Sequence, residues 1–462
     1  MLGVVLGEWL DVPWTLRSVD RKDVLIRTET GGEIVMPDRF FGQADRAWLE
    51  ESSIPPACSE VWDVTSIASP LRVVDRNIPI VLRGPLETTR LEGRSLRLPI
   101  DVFGTAFLML SRYEEWVRPD RDEHDRFPGS ASLAANSGFL HRPVVDEHVE
   151  LLRWAIERVM PDHRSRLPEY RLDVSCDVDR PFDPESGSPR WLVRRMAGDL
   201  LRRRDGASAW NRIRQFQGGR RGDHRGDPMN TFEWMFDVAE ESGCTITFNV
   251  MASDDPAPCD VRYRIGDPWI RRLLRRIHDR GHRIGLHGSY RSGVDAERLG
   301  AERRRLQQTV EEEGIDQTIE MGRQHYLRWC PRRSLRTLEE AGLRLDSTLG
   351  FADRPGFRCG TSREFPMYDL ESASVRQLRQ RPLICMEASV LSPRYLNLEA
   401  AGEGGRTIRG LREACRAVGG RFTLLWHNSE LRDPGHVFLY RSLLEEDRCL
   451  AAPHRQASRA LP

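Results

Sequence analysis

The chain has 462 residues, and its 70 Lys and Arg residues balance its 70 Asp and Glu residues, for a formal net charge of zero. Lys22 is the single lysine and lies in a polar stretch. This excludes Schiff-base, pyridoxal-phosphate and Walker-A enzymes, because they need a lysine at the reaction centre. The zero net charge argues against a whole-chain polyanion binder, so we predict no nucleic-acid partner.

Residues 1–165 are predicted to form a small α+β domain of unknown function. Short β-like runs occur at 24–29, 78–84 and 95–100. A helical pattern covers 104–116, and a second helix follows Pro143 with its apolar residues on one face. Pro161 ends this second helix, because proline lacks the N–H group that would continue the hydrogen bonding. A domain boundary is expected in the polar stretch that follows.

From residue 168 to 452 the chain alternates between short apolar strands and helices. The predicted strands are 171–179, 244–251, 282–288, 319–325, 343–350, 383–390 and 421–429. This alternation predicts an α/β fold with a parallel sheet, either open or closed into a barrel. The arginine-rich stretch 202–226 is predicted to be a mobile surface insertion, and 453–462 a flexible tail.

Polar side chains collect at the carboxyl ends of these predicted strands. They are Asp177, Asp179, Asn249, His287, Arg323, His325, Asp346, Glu387, His427 and Asn428. In barrels of parallel strands, catalytic residues come from this edge of several different strands. Two aspartates two residues apart, together with histidines from other strands, suit a divalent metal that keeps a position open for water. The pattern therefore predicts a metal-assisted hydrolase, although the spacing alone names no substrate.

Five sequence motifs carry a resemblance to a known family. The segment from about 170 to 450 resembles the polysaccharide deacetylase (NodB-homology, carbohydrate esterase family 4-like) family in SCDVDRP, HGSYR, GRQHYLRW, DSTLGFADRPGFRCGT and LLWHN. The resemblance implies an irregular (β/α) barrel of about seven parallel strands. It also implies hydrolysis of an N-acetyl amide on a sugar, with a divalent metal, usually zinc, as cofactor.

The resemblance extends into the first domain. The stretch at 103–127, FGTAFLMLSRYEEWVRPDRDEHDRF, is similar to the signature of a bacterial subgroup linked to surface-polysaccharide biosynthesis. That subgroup carries an N-terminal module of unknown function. The whole chain is therefore expected to act in cell-surface polysaccharide metabolism, with a carbohydrate as substrate. A protein partner that binds through residues 1–165 is a further expectation.

The resemblance also implies residue roles. Asp177 would be the general base, oriented by Arg323, while Asp179 and His287 would be metal ligands. His427 would protonate the leaving amine, with Asp346 tuning its acidity. The candidate substrate contacts are Tyr290, Arg358, Trp426 and Asn428. Aromatic residues near such a site fit sugar stacking and packing at the rim of the sheet equally well.

One position departs from the family pattern. Arg291 stands where the second histidine of the H-[ST]-x-x-H motif is expected, so a positive charge could lie near the metal position. Two matched ligands are fewer than the three usual in a catalytic zinc site. Another side chain could supply the third ligand, with His325 the first candidate and Glu387 the second. Alternatively, the metal is weakly held, or the barrel is catalytically inactive and binds glycan or acts as a scaffold.

Three features bear on the cellular compartment. No stretch approaches the ~18 apolar residues of a membrane span. The first residues, MLGVVLGEWLDVPW, lack the basic start of a secretion signal. The nine cysteines are scattered without a C-x-x-C pair, which is typical of free thiols in a reducing environment. We therefore expect a cytoplasmic protein.

Overall fold

The computed structural model describes residues 1–57, 59–67, 69–84, 91–92, 95–202 and 206–457. Within these residues, no helix combines the length and the apolar character needed to cross a bilayer. The seven cysteines that the structure describes are all free thiols, four of them buried.

Residues 1–165, which we call the N-terminal segment, contain two small sheets and several helices. The strands are Asp23–Arg27 (β1), Glu33–Pro37 (β2), Val61–Asp63 (β3), Asn77–Pro79 (β4), Leu91–Glu92 (β5) and Ser95–Arg97 (β6). They pair in the order β1-β2-β6-β5 and as β3-β4. The helices are Phe40–Ala44 (α1), Val102–Leu110 (α2), Tyr113–Val117 (α3), Leu133–Asn136 (α4) and Val144–Val159 (α5). Short 3₁₀ or π turns cover Gly3–Trp9, Glu51–Ser53 and Gly129–Ala131.

The helix predicted over 104–116 is divided into α2 and α3. Arg112 separates them because it takes a left-handed conformation with φ of 54°. Its buried guanidinium donates to Glu115 (Nε to Oε1, 2.9 Å), so the break is held by an ion pair inside the core. The helix predicted after Pro143 is present as α5, which stops at Val159, just before Pro161.

A nine-stranded sheet follows the N-terminal segment. Its strands are Arg171–Asp177 (β7), Ile246–Val250 (β8), Arg283–Gly288 (β9), Met321–Gln324 (β10), Leu345–Asp346 (β11), Phe365–Asp369 (β12), Ser374–Gln380 (β13), Cys385–Met386 (β14) and Arg421–Leu425 (β15). The order is β12-β13-β11-β10-β9-β8-β7-β15-β14, and every pair is parallel except β12 with β13. The predicted α/β fold with a large parallel sheet is confirmed. Closure into a barrel is not shown, because the described pairing leaves β12 and β14 as separate ends of the sheet.

Helices connect these strands. They are Pro189–Ala197 (α6), Gly206–Arg220 (α7), Phe232–Glu241 (α8), Pro268–Asp279 (α9), Ala296–Glu312 (α10), Ser334–Glu340 (α11), Glu387–Leu391 (α12), Glu403–Ala417 (α13) and Pro434–Ala457 (α14). Short 3₁₀ or π turns cover Gly198–Arg202, Ser292–Val294, His325–Leu327 and Asn428–Glu430. Helix α7 occupies most of the stretch expected as a mobile insertion. Helix α14 runs into the expected tail, of which 458–462 lie outside the described residues.

Helix α9 shows how the sequence pattern packs a helix against the large sheet. Its buried residues, Ile270, Leu273, Leu274 and Ile277, recur at helical spacing and face the sheet. Arginines fill the opposite face, where Arg276 pairs with Glu233 of α8. Gly281, with φ of 72°, then allows the chain to reverse into β9, because a left-handed residue is needed after the helix end.

The N-terminal segment packs directly on the large sheet through buried ion pairs. Glu115 accepts two hydrogen bonds from Arg358, at 2.8 and 2.7 Å, and both side chains are at most 1% exposed. Burial would raise the pKa of Glu115, but the guanidinium groups of Arg358 and Arg112 lower it to about 2. Asp146 of α5 likewise accepts from the N–H group of Ser362 at 2.9 Å. The apolar cores of the two parts form one continuous cluster.

Candidate active site

The register of the parallel strands brings the polar strand ends together. Asp177 at the end of β7 lies opposite Asn249 in β8, and His287 in β9 lies opposite Arg323 in β10. Carboxyl ends of parallel strands share one edge, so side chains distant in sequence become neighbours there. This edge forms the floor of a cleft of about 980 Å³ that Asp177, Asp179, His287, His325 and His427 line.

Asp177 is held as a buried carboxylate. Its Oδ1 accepts from Asn249 Nδ2 at 2.7 Å and from Arg323 Nη1 at 3.0 Å. Burial would raise the pKa of Asp177, but the charge of Arg323, aided by nearby histidines, holds it below its ordinary value. These two hydrogen bonds and the charge of Arg323 therefore favour the carboxylate form of Asp177 and fix its orientation.

Asp179, His287 and His325 form a group that could hold a metal ion. One ligand atom of each lies within 4.8 Å of the others. Oδ1 of Asp179 is 3.2 Å from Nε2 of His287, and its Oδ2 is 3.6 Å from Nε2 of His325. Carboxylate oxygen and imidazole nitrogen are both zinc ligands. The first candidate for the missing third ligand, His325, thus lies where the first two meet.

The hydrogen bonds of His287 test whether a cation fits this group. Its Nδ1 lies 3.0 Å from the carbonyl oxygen of Arg323, and since a carbonyl can only accept, Nδ1 carries the proton. In the tautomer with its proton on Nδ1, Nε2 carries the lone pair that a metal ion would bind. Nε2 and Asp179 Oδ1 are both buried, and neither has a hydrogen-bond partner in the described structure. Two unpartnered lone-pair atoms that face each other fit a cation between them.

His325 is oriented by a residue that the sequence did not indicate. Asp260, in the loop after β8, accepts from Nδ1 of His325 at 2.7 Å and leaves Nε2 directed at Asp179. A carboxylate behind a metal-binding histidine fixes its tautomer and its ring orientation. Burial would lower the pKa of His325, but Asp179 and Asp260 raise it to about 9, so this position attracts positive charge.

His427 lies on another side of Asp179. Its Nδ1 donates to Glu387 Oε1 at 2.6 Å, and its Nε2 is 3.6 Å from Asp179 Oδ2. Burial would lower the pKa of His427, but Glu387 and the two aspartates raise it to about 10. Glu387, expected as a possible metal ligand, instead holds this histidine.

Asp346, expected to tune His427, is fully buried and accepts hydrogen bonds from the backbone N–H and the hydroxyl of Thr348. Burial, opposed by these bonds, raises the pKa of Asp346 to about 6. Asp346 is the last residue of β11 and does not line the cleft.

Arg291 does not bring its charge to the metal position. Its side chain is about half exposed and pairs with Asp255, with Nη1 and Oδ2 3.1 Å apart. It is absent from the residues that line the cleft. The arginine at this position, where the motif predicted from resemblance has a histidine, therefore adds no cation to the residues that line the cleft.

Three of the four candidate substrate contacts are buried below the surface, which corrects their predicted role. Arg358 is occupied by Glu115, and Trp426 packs on Tyr440 with ring centroids 5.4 Å apart. Asn428 donates to the carbonyl oxygens of Arg180 (2.9 Å) and Met229 (2.7 Å), so it supports the backbone of the cleft wall. These three side chains do not line the cleft.

Tyr290, the fourth candidate, does not line the cleft but packs against Tyr326, which does. Its hydroxyl is 3.2 Å from Nδ1 of His124, and the guanidinium of Arg328 lies 4.1 Å from its ring centroid. The cleft is lined instead by Tyr326, Tyr395, Arg394 and Arg126, among others. Sequence reasoning did not select Arg126 as a site residue, although it falls in the 103–127 stretch.

Parts of the chain are similar to a described protein family and to solved structures. Residues 4–161 match a family described as a family of unknown function (DUF7033). No curated protein gives a significant match to this chain. A "putative polysaccharide deacetylase" from Mycobacterium smegmatis is similar to 64% of this chain over 93% of its own, with 17% identity and a TM-score of 0.39.

Two further solved structures show a likeness of the same order. A mutant CE4 family pseudoenzyme with restored enzymatic activity has 8% identity and a TM-score of 0.30, covering 62% of this chain and 65% of its own. An allantoinase has 12% identity and a TM-score of 0.35, covering 61% and 84%.

Proposed function

We propose that this protein is a metal-dependent carbohydrate N-deacetylase, which hydrolyses an N-acetyl amide on a sugar in cell-surface polysaccharide metabolism. The observation that carries the proposal is the convergence of Asp179, His287 and His325 beside Asp177 and His427 on one cleft floor. The five groups supply the ligands, the base and the acid that amide hydrolysis requires.

The proposed ligands are Asp179 Oδ1 or Oδ2, His287 Nε2 and His325 Nε2. Three protein ligands are the number usual at a catalytic zinc site, which keeps another position for water or substrate. A divalent ion held there supplies Lewis acidity that polarises a carbonyl oxygen and lowers the pKa of water toward ~7. Arg323 and Asp260 support this set from behind, through a carbonyl oxygen and a carboxylate respectively.

Asp177 is proposed as the general base. It is ionised and lies in direct contact with Arg323 and Asn249, whose hydrogen bonds both go to Oδ1. Oδ2 therefore remains available to take a proton from the attacking water. The oxygen of that water bonds to the amide carbon, and the proton stays on Asp177.

His427 is proposed as the general acid. With a pKa of about 10 it is protonated at neutral pH, and Glu387 keeps Nδ1 occupied so that Nε2–H faces the cleft. Proton transfer from Nε2 to the amide nitrogen accompanies cleavage of the carbon–nitrogen bond. The products are a free amino sugar and acetic acid, which ionises to acetate by releasing the remaining water proton.

A carbohydrate substrate is supported by the motif resemblance and by the size of the cleft. About 980 Å³ is at the upper end of small-ligand sites and has room for more than one sugar ring. Tyr326 and Tyr395 in the lining offer aromatic faces of the kind on which sugar rings stack.

The decisive experiment measures metal and acetate separately. The purified protein is analysed for bound zinc, then assayed for acetate release from N-acetylated sugar nucleotides and lipid-linked sugars. Asp179→Ala and His325→Ala should lose the metal, whereas the control Arg291→Ala should retain it. A wild-type protein that binds no zinc, cobalt or nickel would overturn the proposal. Metal binding without acetate release from any of these sugars would favour an inactive, glycan-binding barrel.

A further inference from the structure

We infer that residues 122–126 of the N-terminal segment, here called the clamp loop, position His325 for metal binding. This inference rests on the proposed function and assigns a task to a segment whose matching family has none described. His325 supplies the ligand that the sequence motif lacks. Its placement therefore decides whether the group holds three ligands or two.

The backbone next to His325 needs outside support. Tyr326 and Leu327 both take left-handed conformations, with φ of 63° and 54°. Neither is glycine, so both conformations are unfavourable on their own and persist only where the surroundings hold them. A relaxation of either residue would turn the chain at His325 and move its ring.

The clamp loop grips this strained turn by two reciprocal hydrogen bonds. Arg126 Nη1 donates to the carbonyl oxygen of Tyr326 at 2.8 Å. Arg328 Nε donates in return to the carbonyl oxygen of His124 at 3.0 Å. The rings of His124 and Tyr326 also pack together, with centroids 4.4 Å apart. The turn is thus fixed on the side that faces the N-terminal segment.

The other side of the turn is fixed by apolar packing. Leu327 is 3% exposed and belongs to a small cluster with Leu383 and Leu425. The strained turn is therefore held between the clamp loop and this cluster, while Asp260 sets the ring of His325. Of these three supports, the clamp loop is the one that belongs to the N-terminal segment.

The clamp loop is itself preorganised. Asp122 accepts from the backbone N–H groups of His124 (2.9 Å) and Arg126 (3.0 Å), and its Oδ2 accepts from Arg126 Nε at 2.7 Å. Arg126 is only 6% exposed and lines the cleft. Its guanidinium is therefore already aimed at the turn before any ligand binds, as a positioning residue must be.

The test compares zinc affinity, measured by competition with a chromophoric chelator, in variants of the full-length protein. Arg126→Ala should weaken zinc binding about 10- to 100-fold, the loss typical for residues that orient a ligand. Asp122→Ala, a milder change at a side chain that is 27% exposed, should weaken it in the same direction. Arg126→Lys should restore part of the affinity, since it keeps one donor.

Arg121→Ala is the matched control. Arg121 donates to the carbonyl oxygens of Arg118 and Glu115, both within the N-terminal segment, so its loss should leave zinc affinity unchanged. Thermal unfolding without metal shows whether each variant is folded. The d–d spectrum of the cobalt-substituted protein provides a readout of ligand geometry, which should change in Arg126→Ala and stay unchanged in Arg121→Ala.

The outcomes separate this inference from the proposed function. If the wild type binds no metal, both the proposed metal site and the proposed role of the clamp loop are contradicted. If the wild type binds zinc, and folded Arg126→Ala and Asp122→Ala bind it equally tightly with an unchanged cobalt spectrum, the clamp inference alone is overturned. Weaker binding in both, together with recovery in Arg126→Lys, supports it.

Discussion

Nε2 of His287 lies 3.2 Å from Oδ1 of Asp179, and among the described residues neither atom has a hydrogen-bond partner. Buried polar atoms nearly always have a partner, so this pair marks the point where a ligand is expected. A metal that binds only the folded protein stabilises it by about 2.7 kcal/mol at 100 times its dissociation constant. We therefore expect zinc to raise the melting temperature and a chelator to lower it. Asp179→Ala should abolish the zinc-dependent shift, and an undiminished shift in this variant would contradict the assignment.

Asp177→Asn separates the base from the metal site. The substitution keeps an oxygen for Arg323 but removes the negative charge that accepts a proton. We expect kcat for acetate release to fall by about 10²- to 10⁴-fold, the usual contribution of a general base. Bound zinc, measured in the same preparation, should remain close to the wild-type stoichiometry. Full activity in this variant would show that another group removes the proton.

Glu387→Gln tests the acid. The amide cannot hold a positive charge on His427 as the carboxylate does, so less of the histidine is protonated at neutral pH. We expect kcat to fall, by at most the ~10²- to 10⁴-fold that a general acid contributes. We also expect the loss of rate at alkaline pH to begin at a lower pH than in the wild type, because His427 loses its proton earlier. Arg291→Ala, which alters an exposed side chain outside the cleft, is the matched control. Equal rates in the two variants would argue against this role for Glu387.

His148 should make stability depend on pH. Burial in α5, only partly offset by the hydrogen bond from Nε2 to Pro79, lowers its pKa to about 4, against ~6.5 in the unfolded chain. Between these values the unfolded state binds more protons, so stability is complete above pH ~6.5 and falls as the pH falls toward ~4. From pH 7.5 to 5 this residue should account for about 2 kcal/mol.

The measurement is urea unfolding of the wild type and His148→Gln at both pH values. The wild type should lose about 2 kcal/mol more than the variant over this interval. A variant that loses as much stability as the wild type on acidification would rule out His148 as the source.

The strand ends of the cleft were predictable because each follows a short apolar run. A parallel sheet places such ends along one edge, so Asp179, His287 and His325 could be expected to meet before their distances were known. The carboxylates that hold the histidines could not be predicted in the same way. Asp260, which holds His325, was not selected from the sequence, and Glu387 was expected as a possible metal ligand and not as the partner of His427.

Other elements departed from prediction for local physical reasons. The hairpin of β12 and β13 was not expected, because apolar and polar residues do not alternate regularly in the sequences FPMYD and SVRQLRQ, although buried positions do alternate along both strands in the structure. The single helix predicted over 104–116 is broken by Arg112, whose left-handed backbone is stabilised by Glu115, a contact that helical periodicity does not reveal. Arg358 resembled a substrate contact because arginine in a glycine-rich loop fits an anion and a buried carboxylate equally well.

The pairing of Arg358 with Glu115 restricts how the N-terminal segment could be separated from the rest of the chain. Cutting between the N-terminal segment and the large sheet would leave one guanidinium and one carboxylate facing water across apolar surfaces that now cover each other. Neither fragment could then be exchanged for an unrelated one without a matching charge on the new partner. Loss of Arg358 would leave Glu115 with Arg112 as its remaining buried partner, whereas loss of Glu115 would leave two buried guanidinium groups together, so we expect the sequences of the two parts to constrain each other.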